Sequence, residues 1–122
     1  MIHDELIDAL SGTIETTRTG AIIYRNSRGQ RHRVGGPAVI YASGTVAWYH
    51  NGRRHRIGGP AVIFADGSEH WYQNDVQHRT DGPAIRCADG FSAWFLNDKA
   101  VTEEEFNACI KSGNYDEPGS PD

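Results

Sequence analysis

The stretch GGPAVIYASGTVAWYHNGRRHRI, Gly35–Ile57, is followed at once by GGPAVIFADGSEHWYQNDVQHRT, Gly58–Thr80, and the two agree at 13 of 23 positions. A looser unit, Asp81–Glu103, keeps Gly82, Pro83, Ala84, Ala88, Gly90, Trp94 and Asn97 in the same phase. A period held without insertion marks one structural unit used in tandem, each unit burying its apolar residues against its neighbours. Upstream, Gly12–Val34 is a degenerate first unit, which makes Gly35–Ile57 the second, Gly58–Thr80 the third and Asp81–Glu103 the fourth. It retains Gly29, Arg31, His32 and Arg33 at the places of Gly52, Arg54, His55 and Arg56 but has neither the Pro nor the Trp.

Inside each unit the signals are those of a β-hairpin. Ala38–Ala42 is β-branched and aromatic, Ser43-Gly44 reads as a two-residue turn, Thr45–His50 as a second strand, and Asn51-Gly52 as a type I′ turn. Asp66-Gly67, Asn74-Asp75, Asp89-Gly90 and Asn97-Asp98 repeat these turns. A two-residue first turn sets Val39 opposite Trp48, Tyr41 opposite Val46 and Ile40 opposite Ala47. The expected spine is then a ladder of Trp48, Trp71 and Trp94, each against Val39, Val62 or Ile85. Pro37, Pro60 and Pro83 lack the N–H that a ladder needs, so they mark loops or bulges between hairpins.

The ends differ. Ile2, Leu6, Ile7 and Leu10 recur at helical spacing before Ser11-Gly12, and Thr102-Glu-Glu-Glu105 is a capping box leading into Phe106–Lys111 and Gly113. The expected class is mainly β: an elongated, twisted antiparallel meander of 23-residue hairpins with a short helix at each end. One domain covers residues 1–113, with caps at 1–11 and 103–113, units at 12–34, 35–57, 58–80 and 81–103, and a disordered Pro/Gly-rich tail at 114–122.

Composition narrows the functional classes. The 122 residues carry a net charge of −4, but that charge is segregated. Residues 16–65 hold eight Arg and no acid, whereas residues 66–122 hold twelve acids against Arg79, Arg86, Lys99 and Lys111. Two cysteines make no disulfide framework, and the acidic N-terminus is unlike a secretory signal, so the expected location is the cytoplasm.

Trp48-Tyr-His-Asn-Gly-Arg-Arg-His55, then Ala65-Asp-Gly-Ser68 and Trp71, resembles the MORN repeat, whose units also span 23 residues, over roughly residues 12–103. The uneven spacing of the turns and the Gly-Gly-Pro after the basic stretch are closest to the variant MORN-like class of bacterial and phage proteins. The resemblance implies an interaction scaffold, sometimes proposed to meet acidic lipids, and no catalytic residue. Small acidic single-domain proteins with such units suggest a phage or mobile-element accessory factor, an inhibitor of a host nuclease or defence complex being a special case.

Candidate chemistry can be weighed residue by residue. His32, His55 and His78 are regularly spaced, but equivalent positions two strands apart lie about 9–10 Å from one another. A metal needs its ligands within ~2.1 Å, so packing is the expected role, with no metal and no cofactor. Cys87 stands where Tyr41 and Phe64 do and reads as a strand residue, Cys109 lies on a helix face, and neither has an evident base, so no enzyme is expected.

The Arg segment is the functional lead. Arg25, Arg28, Arg31, Arg33, Arg53, Arg54 and Arg56, together with Tyr49 and Tyr72 on the second sheet face, are the expected partner-binding residues. The bland alternative is a charged edge that keeps the sheet from pairing with other sheets. An acidic protein surface is the favoured partner, with nucleic acid or anionic lipid as the alternative and homodimerisation permitted by the opposed charges.

Overall fold

The computed structural model describes residues 12–118. The expected N-terminal helix falls outside the described residues.

The described chain is mainly β with one C-terminal helix. Strands β1 (Thr13–Thr16), β2 (Ile22–Arg25), β3 (Val39–Ile40), β4 (Val46–Ala47), β5 (Tyr49–His50), β6 (Arg53–Arg54) and β7 (Val62–Ile63) come first. They are followed by β8 (Glu69–His70), β9 (Tyr72–Gln73), β10 (Val76–Gln77), β11 (Ile85–Arg86), β12 (Ser92–Leu96), β13 (Lys99–Val101) and helix α1 (Glu103–Ser112). Nine of the strands form one antiparallel sheet in the order β1-β2-β3-β4-β7-β8-β11-β12-β13, and the pairs β5–β6 and β9–β10 form separate two-stranded hairpins. Strand order follows chain order, so adjacent segments are adjacent in space.

The register differs by one residue from the expected one. Val39 pairs with Ala47 and Ile40 with Val46, not Val39 with Trp48. The cause is the first turn: Tyr41 N–H donates to Thr45 O and Gly44 N–H to Tyr41 O, so Ala42, Ser43 and Gly44 form a three-residue loop. Gly44 sits at φ 99°, the left-handed residue of a type I turn with a G1 bulge. Phe64–Ser68 and Cys87–Phe91 close in the same way. The second turn is the expected two-residue type: Asn51 and Gly52 have φ 49° and 84°, and Tyr49 pairs with Arg54 across it.

This register moves the core. Ile23, Val39, Ala47 and Val62 stand directly opposite one another along the row, and Tyr49 packs on them. Ala38, Ala61 and Ala84 are wholly buried, each with its carbonyl accepting the N–H of an aromatic residue: Tyr24, Trp48 and Trp71 in turn. A fully enclosed Ala site has no room for a larger side chain, which is why a thin sheet uses Ala there.

The aromatic ladder is therefore Tyr24, Trp48 and Trp71, not Trp48, Trp71 and Trp94. Trp94 pairs with Val101 in the last hairpin instead. Residues 114–118 return to the body: Asn97 Nδ2 donates to the Asp116 carbonyl, and the Tyr115 ring lies 6.2 Å from His78. Helix α1 begins at the Thr102 capping box, buries Phe106 and ends at Gly113 in the left-handed conformation. Among the described residues no helix is long and apolar enough to cross a membrane.

Candidate functional site: an arginine and tyrosine surface

Arginines dominate the first half of the sheet, and their contacts sort them into three groups. Arg33 and Arg56 belong to the first. Their guanidinium groups lie 3.9 Å from the ring centroids of Tyr24 and Trp48, and each Nη1 donates to the carbonyl of the following proline, Pro37 at 3.2 Å and Pro60 at 3.1 Å. Arg79 repeats the arrangement on Trp71 at 3.7 Å and Pro83 at 3.0 Å. A Cβ built on Gly59 would lie 2.7 Å from Arg56 Cζ, so the second Gly of Gly-Gly-Pro exists to let the guanidinium pass. These three arginines fasten one hairpin to the next, and two of them were expected to face a partner.

The second group is neutralised. Arg25 Nε meets Glu15 at 3.2 Å, and Arg54 Nε meets Asp75 at 2.9 Å. Burial opposes the Arg54 cation, but the Asp75 hydrogen bond and neighbouring charges outweigh it and raise its pKa. Arg54 also stacks 4.1 Å over Tyr72.

The third group keeps its full charge. Arg28 and Arg53 are exposed, and they donate to the side-chain oxygens of Asn51 at 3.2 Å and Asn74 at 2.8 Å. Arg31 donates to the Tyr49 hydroxyl at 3.3 Å and lies 5.4 Å over its ring. None of the three has a carboxylate partner among the described residues. Neutral acceptors hold these side chains in place without cancelling them, which lowers the entropy cost of meeting an anion.

Together these contacts make a row, Arg31–Tyr49–Arg54–Tyr72, in which Tyr49 and Arg54 are cross-strand partners and each Arg leans on the Tyr of the next hairpin. The row stops where Gln77 and Phe95 occupy the next equivalent places.

The histidines are hydrogen-bond acceptors. His32, His55 and His78 each take, at Nδ1, the backbone N–H of Asn51, Asn74 and Asn97 at 3.0, 3.0 and 3.1 Å, which fixes the left-handed turn of the following unit. Burial, and secondarily the neighbouring His50, lowers the His55 pKa. Burial lowers His78 against an opposing pull from Glu117, and burial with the Arg54 charge lowers His70. Among the described residues no three His, Cys, Asp or Glu side chains are placed to hold a metal ion.

A cavity of about 240 Å³ lies at the β1 end, lined by Ile14, Tyr24, Arg25, His32 and Arg33 among others. Among the described residues its lining has neither carboxylate nor thiol, and the Nδ1 of its imidazole accepts the Asn51 N–H. No protein-family model, no curated protein and no solved structure matches the chain.

Proposed function

We propose that this chain is a non-enzymatic protein-interaction module, built of MORN-like units as an elongated, twisted sheet, that binds an acidic protein surface through its first half. The observation that carries the reading is the placement of Arg28, Arg31 and Arg53 on neutral acceptors beside Tyr49 and Tyr72. Cations held in place without an anion suit an incoming carboxylate, and Tyr flanked by Arg is the composition of many interface centres. Arg33 and Arg56 support the surface from within.

A second reading, binding of single-stranded nucleic acid, is favoured by the alternation of Arg and Tyr, since bases stack on such rows. The two separate in one experiment. Immobilised poly-glutamate, single-stranded DNA and anionic vesicles are titrated against the protein at several ionic strengths, beside the variant Arg28→Gln/Arg31→Gln/Arg53→Gln. The acidic-protein reading expects poly-glutamate to bind most tightly, to release with salt and to be lost by the variant. Tighter binding of DNA or vesicles at equal ionic strength, or an unchanged variant, would refute it.

A further inference from the structure

The described C-terminal residues lie across the His78–Asn97 pair, and the polar contacts they make there have a counterpart at His55–Asn74 that no described segment fills. Asn97 Nδ2 donates to the Asp116 carbonyl, Tyr115 rests beside the His78 ring, and the Glu117 carboxylate lies 3.5 Å from His78 Nε2, long for a hydrogen bond. His78 and Asn97 are joined by the Nδ1 to N–H bond.

Twenty-three residues upstream, His55 and Asn74 are joined by the same bond at nearly the same length, 3.0 against 3.1 Å. Both asparagines have the left-handed backbone, φ 55° and 52°. The His50 ring stands 6.1 Å from His55, much as Tyr115 stands 6.2 Å from His78, but no described segment supplies at Asn74 the carbonyl, or at His55 the carboxylate, that residues 116 and 117 supply at Asn97 and His78.

Charge distinguishes the two places. At the third unit the residues preceding the histidine are Val76 and Gln77; at the second they are Arg53 and Arg54. Arg53 Nη1 donates to Asn74 Oδ1 at the surface, which engages the amide oxygen and leaves Nδ2 for an acceptor, the role Asn97 Nδ2 plays toward Asp116. Arg54 is matched by Asp75, so the surplus cation at this place is Arg53.

We infer that the His55–Asn74–Arg53 surface is a docking subsite for an extended acidic segment of another protein, an aromatic residue followed by two acids, bound in the manner of Tyr115-Asp116-Glu117 on the third unit. The inference rests on the acidic-partner reading above and narrows it to a peptide chemistry and a register. The incoming main-chain carbonyl takes the Asn74 amide, the aromatic ring lies beside His55, and a carboxylate meets Arg53. The self-bound tail shows that these contacts are compatible with the backbone of a unit, and the added cation makes the second unit the better host for an acidic guest.

The probe is the synthetic peptide SGNYDEPG, titrated into the isotopically labelled full chain with backbone and side-chain amide shifts recorded. The expected result is saturable shifts at the Asn74 side-chain amide and at His55. Arg53→Gln should weaken binding roughly tenfold, the scale of one charge-assisted hydrogen bond. Asn74→Gly keeps the positive-φ turn while removing the amide, and it should abolish the shifts at His55 with little change in melting temperature.

Shifts confined to Asn97 and His78 would mean that the peptide only displaces the chain's own tail, and would overturn the inference. Concentration-dependent association of the chain, abolished by ending it at Ser112, would assign the subsite to a second copy and overturn it equally. If poly-glutamate binds through Arg28, Arg31 and Arg53 while the peptide leaves Asn74 unmoved, the subsite is lost and the broader reading stands. If neither binds, both fall.

Discussion

A guanidinium stacked on an indole at 3.7–3.9 Å and also hydrogen-bonded to a proline carbonyl combines two contributions, a cation–π contact of about 0.5–2 kcal/mol and a hydrogen bond of about 1 kcal/mol. Arg56→Ala should therefore lower stability by about 1–3 kcal/mol, read as a fall in melting temperature. The matching glycines give a sharper test, since a Cβ would approach the guanidinium to 3.1 Å at Gly36, 2.7 Å at Gly59 and 2.8 Å at Gly82. Gly59→Ala and Gly82→Ala should each cost more than Gly36→Ala; equal losses would show that the stacked arginine is not what the glycine makes room for. The histidines predict a pH response. His55, His70 and His78 have pKa values held below 6.5, chiefly by burial, so the unfolded chain binds protons more readily than the folded one. Stability is then full above pH 6.5 and declines as pH falls below it, because protonated Nδ1 of His55 or His78 can no longer accept from Asn74 or Asn97. Thermal melts should lose ground from pH 7 to pH 5, and His55→Gln should flatten the decline; a pH-independent melt would remove this account. At this scale the sequence displayed the arginines but not their directions. Arg33 and Arg56 look like Arg31 and Arg53 in a list of charges, and the distinguishing mark was the Gly-Gly-Pro that follows them, a steric signal and not an electrostatic one.

Turns decide the elements, and one of the two turn types was legible. Asn-Gly and Asn-Asp specify two adjacent left-handed residues, and Asn51, Asn74 and Asn97 adopt them. Ser43-Gly44 admitted two geometries with different loop lengths, and the bulged form shifted every partner across that turn by one residue. The first unit concealed Tyr24 for a similar reason. Its loop Asn26–Gln30 is the bulged kind, with Asn26 N–H donating to Gln30 O, where the next unit has two turn residues. Tyr24 is therefore eight residues before His32 whereas Trp48 is seven before His55, and strict alignment from the histidine lands on Arg25. The helix was legible throughout, because the Thr102 and Glu105 capping bonds are local, at 3.0 and 2.9 Å. Thr102→Ala should cost about 1 kcal/mol through fraying of the first turn. Phe106→Ala should cost about 3–5 kcal/mol, since that ring is the helix's buried anchor. Hydrogen exchange localises both: the first should speed exchange at residues 103–106, the second throughout α1, and a global change in both would contradict the assignment.

Over the whole molecule, chain order becomes spatial order because neighbouring strands in the nine-stranded sheet are successive along the chain, apart from the two side hairpins. The arginines of residues 16–65 thus lie in and between the strands up to β7, and the described acids from Asp66 onward lie beyond β7. Such a sheet must also protect its ends, since an edge strand offers unpaired N–H and C=O groups to any other chain. At the far end this protection comes from α1, which packs on β12 and β13 and encloses Leu96 and Phe106 at 7% and 5% exposure. A chain ending at Thr102 would keep all nine strands but lose the cover over Leu96 and the β13 edge. Sedimentation should then show mass rising with concentration relative to the full chain. Placing a lysine on that edge, as in Ala100→Lys, should reverse the association without restoring the helix, because a charge on an edge strand opposes pairing even when nothing covers it. If the shortened chain sediments as the full one does, α1 is not the guard of this edge, and its packing on β12 and β13 serves stability alone.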